Sequence, residues 1–352
     1  MIVDEQLLFK IGSRTIGVGN RCFVIAEVAQ SHDGSLGMAH SFIDMVAESG
    51  ADAIKFQTHI ASAESTPQEP WRVPFSRQDT SRYKYWERME FTAEQWAGLK
   101  QHADEKGLVF LSSPFSVEAV ILLRKIGMCA WKIASGEVSN HQLLHAVLED
   151  KKPVLLSSGL SGWKELDTAF QLIRKGGIPC TIFQCTSEYP TAPEKIGLNI
   201  LDQIRARYRC PVGLSDHSGE IYTGLAAATL GASCLEVHIA FHKKMFGPDV
   251  PSSLDPKELT SLCRGVDAIH RMIVNPISKD EQGLSAEPLR QIFGRSIVLN
   301  RSIEAGTTLI PEMLSFKKPG TGITPNEIDR VLGRRVRTQL SSDTLISYED
   351  LI

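Results

Sequence analysis

The sequence predicts an α/β chain: a (β/α)₈ barrel followed by a small, β-rich C-terminal domain. Three observations predict it. Short apolar, β-prone runs at 23–27, 52–56, 108–111, 130–133, 153–157, 180–186, 211–215 and 233–238 alternate with amphipathic helical stretches. Each run is almost continuously apolar, as a parallel sheet covered on both faces requires, and eight such units close a barrel. Beyond about residue 278 the composition changes to short strands and turn glycines with no long helix. The 352 residues, 42% of them hydrophobic, accommodate a barrel of roughly 250 residues and a module of roughly 60. The boundaries expected are a barrel over 1–280, a linker over 281–293 and a module over 294–352. An open doubly wound sheet is the competing architecture. No GxGxxG follows the first run, which weighs against a dinucleotide-binding form of it.

Taken in order, residues 7–18 alternate around Gly12 and predict a hairpin across the barrel floor. The connection from 57 to about 92 is unusually long and carries Trp71, Phe75, Tyr83, Tyr85 and Trp86 among many charges. A connection of that length serves as a lid or binding loop, unless its aromatics only pack on the rim. In the C-terminal part, 303–314 (IEAGTTLIPEML) and 340–351 (LSSDTLISYEDL) form a weak repeat, consistent with twofold pseudo-symmetry.

Composition excludes several classes. A net charge of -3 with acids and bases intermixed gives no basic footprint for nucleic acid and no polybasic membrane patch. The N-terminus, with Asp4 and Glu5, has no signal-peptide pattern, and the longest apolar stretch, 224–235, is about half a bilayer span. Cys22, Cys180, Cys185 and Cys234 read as small core residues of a reducing, cytoplasmic compartment. Without a CxxC, a cysteine-ligated zinc site is not expected.

The active site of such a barrel lies at the C-terminal strand ends. Those ends are polar here: Glu27; Lys55 and Gln57; Ser112 and Ser113; Lys132, Ser135 and Glu137; Ser157 and Ser158; Thr186 and Ser187; Ser215, Asp216 and His217; Glu236 and His238. Apolar strands that all finish on polar groups are poor core design but suit a site. Lys55 and Lys132, with serines 113, 135, 157, 187 and 215, form a candidate cradle for phosphate or carboxylate. His217 and His238, on neighbouring strands beside Glu236 and Asp216, are candidate ligands of one divalent ion with open positions; His242 is a weaker candidate. Glu27 and Glu137 are candidate proton-handling groups, the alternative being rim carboxylates paired with lysines.

With these residues in view, the chain closely resembles the sialic acid synthase family. The resemblance rests on IAEVAQSHDGSL (25–36), GADAIKFQT (50–58), SSPFS (112–116), WKIASGE (131–137), LLSSG (155–159), CTSEYPT (185–191), GLSDHS (213–218), EVHI (236–239), GPD (247–249) and KKPGTGI (317–323). It runs in order through nearly the whole chain, and the family's terminal antifreeze-like (SAF) module matches 294–352. The resemblance implies a condensation of phosphoenolpyruvate with an N-acyl hexosamine and water, giving a nonulosonic acid and phosphate. It implies metal-assisted activation of the sugar aldehyde, attack by C3 of phosphoenolpyruvate, water addition at C2 and loss of phosphate by C–O cleavage. Lys55, Ser113, Lys132, Ser135, Ser157 and Ser215 match phosphoenolpyruvate-binding positions, and Ser187 joins them from its strand-end position. His217 and His238 match metal ligands, with Mn²⁺ the expected ion and Mg²⁺ or Co²⁺ as alternatives. Glu27 matches the acid/base residue, and Gln57, Tyr189 and Asp249 match sugar-side positions.

Four departures bear on the acceptor sugar more than on the reaction. Ser187 stands where the family often has Asn, Val250 where His is common, and Lys318 where Arg is common. The 57–92 loop also lacks an asparagine to match a family sugar contact. N-acetylmannosamine and dideoxy di-N-acetyl hexosamines both remain open. The resemblance further implies a homodimer in which the module of one chain covers the other chain's barrel mouth and brings Lys318 to the sugar. A sugar-phosphate acceptor and a non-catalytic carbohydrate-binding protein are the competing functions.

Overall fold

The structure is a computed structural model that describes residues 8–352. All eight expected strands form: Phe23–Ala29, Ala53–Thr58, Val109–Pro114, Trp131–Ile133, Val154–Ser157, Cys180–Cys185, Val212–Asp216 and Cys234–Ile239, called here strands one to eight. Every ladder between them is parallel, and the order three-two-one-eight-seven-six-five-four is that of a ring. Strands three and four lie side by side at the seam. Strand one takes a register shift between Glu27 and Ala29, at the mouth.

Alternate residues of each strand face opposite ways. The outward set, including Val24, Ile54, Phe110, Leu156, Ile182 and Val237, packs against the helices through Phe42, Leu99, Leu123, Leu144, Ile173 and Leu262. Fully burying each such side chain contributes about 1.5–3 kcal/mol. Helix starts are set by local chemistry: Ser35 and Ser116 accept from Met38 N–H and Ala119 N–H, and Thr92 with Gln95 forms a capping box.

The inward set divides by height. Towards the strand N-termini, Phe23, Ile25, Ala53, Leu111, Ala130, Leu155, Phe183 and Cys234 fill the barrel. The expected hairpin forms over Phe9–Ile11 and Arg14–Ile16 and adds Ile11 and Ile16 to this plug. Residue 7 of that expectation, with Asp4 and Glu5, lies outside the described residues. Gly213 makes room for the plug: a Cβ there would lie 2.7 Å from the Phe183 ring.

The chain divides into compact units at 1–274 and 275–352. The segment expected as a linker over 281–293 is not an extended tether. It carries the helices Lys279–Ser285 and Glu287–Phe293 and belongs to the second unit, where Gly320 N–H donates to the Gln291 carbonyl. Their exposed Leu284, Leu289, Ile292 and Phe293 show why composition read as a boundary: neither helix contains a buried residue. The rest of the unit pairs Ser296–Leu299 with Leu314–Lys317 antiparallel around a core of Ile297, Leu299, Leu309, Val331, Val336 and Ile346. The repeat is structural. Ile303 and Leu340, its two first residues, exchange backbone hydrogen bonds of 2.8 and 2.9 Å, and each copy carries a 3₁₀ turn, Pro311–Met313 and Tyr348–Asp350.

Candidate active site

Above the plug, the same inward phase turns polar. Phe23 and Ile25 lead to Glu27, Ala53 to Lys55 and Gln57, Ala130 to Lys132, Leu155 to Ser157, and Cys234 to Glu236 and His238. These side chains line a cavity of about 560 Å³ with Ser113, Ser135, Glu137, Ser187, Tyr189, Ser215, His217 and Asp249. Every site residue expected from the sequence lies on this cavity except the weaker candidate His242 and Lys318, which is in the second unit with its ammonium 5.3 Å above the Phe293 ring.

Both lysines are buried, at 2% exposure each, so their charges require partners. Lys55 Nζ lies 2.7 Å from Glu27 Oε2 and 3.9 Å from Glu236 Oε1. Lys132 Nζ lies 3.3 Å from Glu236 Oε1 and donates to Ser157 Oγ at 2.5 Å. Ser215 Oγ also donates to Glu236, at 3.1 Å. Burial alone would raise the Glu236 carboxyl, but Lys132 and Lys55 hold it below the usual carboxylate range. Glu236 is thus the counter-ion of the cradle. The sequence placed it beside the two histidines and did not show its pairing with the lysines, although its phase with His238 points it inward.

The cradle also depends on a missing side chain. A Cβ on Gly159 would lie 2.6 Å from Ser187 Oγ, 2.8 Å from Ser135 Oγ and 2.9 Å from Cys185 Sγ. Ser187 therefore lies with Ser135 at one point of the cavity wall. Cys185 is buried, as expected, but it lines the cavity and is not sealed in the core.

The neighbouring strand-end residues turn elsewhere. Ser112 bonds Thr58 and the Phe56 carbonyl, Ser158 the Phe183 carbonyl, and Thr186 the Lys195 carbonyl. Asp216, expected beside the histidines, accepts from Ser218 and Thr223 and shapes the following turn. His242 is exposed and off the cavity. Val250 is buried without lining the cavity, so its difference from the family pattern does not reach the cavity wall.

His217 and His238 have ring centroids 5.2 Å apart. His217 Nδ1 donates to the Thr186 carbonyl at 2.7 Å, leaving Nε2 as a free lone pair, and burial with His238 nearby pushes its pKa down to about 3. His238 Nδ1 is buried without a hydrogen-bond partner. A neutral, backbone-oriented imidazole beside an unpaired one suits a divalent cation. Among the described residues no cluster of three or more His, Cys, Asp or Glu forms a protein-only cage. Glu137 is half-buried, and desolvation raises its carboxyl despite a hydrogen bond from Asn140.

The long loop forms one wall. Trp71, Phe75, Tyr85 and Trp86 all line the cavity while packing on one another, so the loop is both cavity wall and packed rim. Tyr83 does not reach the cavity. Tyr189 stacks on His217 at 4.0 Å, and Arg72 lies 4.3 Å over Tyr189 while donating to Asp249 at 2.5 Å. Sequence reasoning missed Arg72, His59 and Glu64, because a loop carries no periodicity that reveals which side chains point inward.

The chain matches the NeuB family over residues 42–277 and the SAF domain over residues 294–352. It is 31% identical over 347 residues to the N-acetylneuraminate-9-phosphate synthase of Homo sapiens, an alignment covering 96% of this chain and 94% of that one. It is 30% identical over 332 residues to the N,N'-diacetyllegionaminic acid synthase of Campylobacter jejuni, covering 93% and 99%. Among solved structures, the N-acetylneuraminic acid synthetase of Leptospira borgpetersenii superposes with a TM-score of 0.70 at 28% identity, covering 81% of this chain and 98% of that one.

Proposed function

This chain belongs to the NeuB family, and from that premise we propose that its barrel condenses phosphoenolpyruvate with an N-acyl hexosamine and water to a nonulosonic acid and phosphate. The observation that carries the reading is the pair of buried lysines, Lys55 and Lys132, converging with five serines on one cavity. Phosphoenolpyruvate brings a phosphate and a carboxylate, and two desolvated ammonium groups with hydroxyl donors are suited to hold both. C3 bonds to the sugar's aldehyde carbon, water adds at C2, and the C–O bond to phosphate then breaks. Glu27, beside Lys55 and Gln57, is placed to take and return a proton. Glu137, its carboxyl raised by burial, is a second proton store. Gln57, Tyr189 and Asp249 face the acceptor. Fixing two substrates in register is a major part of the rate gain.

His217 and His238 would hold a divalent ion, Mn²⁺ in the first instance, supplying Lewis-acid polarisation of the aldehyde oxygen. Arg72 and Arg82 on the cavity wall are paired with Asp249 and Glu69, as Lys55 and Lys132 are with Glu27 and Glu236. The working assembly is a homodimer in which the second unit of one chain closes the barrel mouth of the other. Its support is the apolar surface of Leu284, Leu289, Ile292 and Phe293, together with the exposed Lys318.

The test is to incubate the protein with phosphoenolpyruvate, Mn²⁺ and a panel of N-acyl hexosamines, free and phosphorylated. Acceptor-dependent phosphate release with formation of a nonulosonic acid is expected. No release with any of them would refute the reading.

A further inference from the structure

We infer that His59 is a positioning residue for Glu27, acting through Gln57 and held as an imidazolium by Glu64. Its catalytic consequence rests on the condensation reading; its hydrogen-bond logic does not. His59 is buried just beyond strand two. Its Nδ1 lies 2.6 Å from Glu64 Oε1 and its Nε2 3.2 Å from Gln57 Oε1. The orientation of the Gln57 amide follows from its other contacts: Nε2 donates to Glu27 Oε1 at 2.8 Å, and Oε1 accepts from Gln30 Nε2 at 3.2 Å. Both ring nitrogens of His59 therefore face acceptors, a carboxylate and an amide oxygen. A neutral imidazole donates from one nitrogen only, so the hydrogen-bond chain needs a second proton, which the ring holds when Glu64 is ionised.

The surroundings suit a cation. The ring lies between Trp86, at 4.0 Å and 17°, and Phe115, at 4.4 Å and 14°. Two aromatic faces stabilise a cation placed between them. Trp86 is itself held by donating its indole N–H to Glu69 at 2.8 Å, and Ile60 N–H donates to the other Glu64 oxygen at 3.3 Å. The further titratable groups that feel its charge are Glu137 and His32.

The consequence is directional. With two donors on Gln57 Oε1, the amide cannot rotate without setting its oxygen against the Glu27 carboxylate. Glu27 then keeps one oxygen on Gln57 and the other on Lys55. Gln57 retains a single N–H for the acceptor sugar.

Two measurements test this. In ¹⁵N spectra of the substrate-free protein at neutral pH, His59 is expected to show two protonated ring nitrogens, and Glu64→Gln to convert it to a neutral ring. A neutral ring in the wild type overturns the inference whatever the enzyme's substrate. In turnover, His59→Phe keeps a flat ring in the sandwich but removes both donors. Its kcat is expected to fall roughly tenfold to a hundredfold through misplacement of Glu27, with the KM for phosphoenolpyruvate unchanged. His59→Gln, which keeps an N–H towards Gln57, should recover part of the loss. Wild-type kcat in His59→Phe overturns the inference; if that variant does not fold, wild-type kcat in a folded Glu64→Gln does so. Absence of turnover by the wild type with every sugar refutes the condensation reading alone, and the ring's protonation still decides the hydrogen-bond chain.

Discussion

The two ends of the barrel are built from the same strands in the same alternation, yet they are opposite materials. At the floor, Ile11, Ile16, Phe23, Ile25, Leu155 and Phe183 fill the interior with groups that need no partner. Two residues further along, Glu27, Lys55, Lys132, Ser157 and Glu236 are just as buried, and each must find a counter-charge or hydrogen bond. Not every polar atom finds one: Glu236 Oε2, Gln30 Oε1 and His238 Nδ1 at the mouth are buried without hydrogen-bond partners, as is Thr181 Oγ1 lower in the barrel. Native proteins seldom leave such atoms unmatched, and the three residues at the mouth line the cavity, where a ligand can approach them. The floor supplies stability, and that lets the mouth carry charges a core would not tolerate.

The comparison is most open to breakage at the two histidines. Chelator is expected to abolish turnover and Mn²⁺ to restore it. The His217→Ala, His238→Ala double variant should be inactive but folded; full activity of this variant in chelator would remove the metal from the mouth.

At the floor, Ile16→Ala should cost about 2–5 kcal/mol of stability, read from urea unfolding, with kcat per folded molecule unchanged. A large fall in kcat would mean that floor and mouth are not separable. Lys132→Ala is the converse case. Truncating one side of a buried charged contact costs about 2–5 kcal/mol of binding. The KM for phosphoenolpyruvate should therefore rise far more than the KM for the sugar, as initial-rate kinetics would show. Equal effects on both would place Lys132 outside the cradle.

Gly159→Ala sharpens the boundary. The new methyl would meet Ser187, Ser135 and Cys185, so phosphoenolpyruvate binding should weaken by about tenfold, within the 1–3 kcal/mol typical of overpacking. Isothermal titration measures this, and unchanged affinity would show that the cradle yields.

The smallest effect concerns pH. His32 is fully buried, with its ring against Phe91, and burial, aided by His59 and Arg88, pushes its pKa down to about 3. The unfolded chain takes up this proton near the ordinary value of about 6.5. Between those values the unfolded state binds more protons than the folded one, so stability falls as pH drops from about 6.5 towards 3. His32→Asn keeps an acceptor for Gly34 N–H and should flatten this slope in unfolding midpoints measured across that range. An unchanged slope would assign the acid sensitivity elsewhere.

The sequence made the barrel legible because periodicity is a local property. Eight apolar runs with helical intervals admit few packings, and two-residue alternation from Phe23 or Ala53 already aims Glu27 and Lys55 inward. It also made the C-terminal repeat visible, since Ile303 and Leu340 occupy equivalent places in equivalent turns. It did not show that 281–293 would carry two short helices, because helices without a buried side chain leave a weak periodic signal. It could not say that Asp216 would bind its own turn while Glu236 served two lysines. Both are acids next to a strand end, and only their phase and neighbours differ. His59, Glu64 and Arg72 were beyond its reach for a stronger reason. Gln57 and Glu64 are near His59 in the chain, but Phe115, Trp86, Tyr189 and Asp249, which complete the surroundings of His59 and Arg72, come from strand ends and loops farther away. The order of residues determined which strands form and which side chains face inward. Only the closing of the ring decided which charges meet, because a buried charge is defined by its neighbours and those neighbours exist only once the chain has folded.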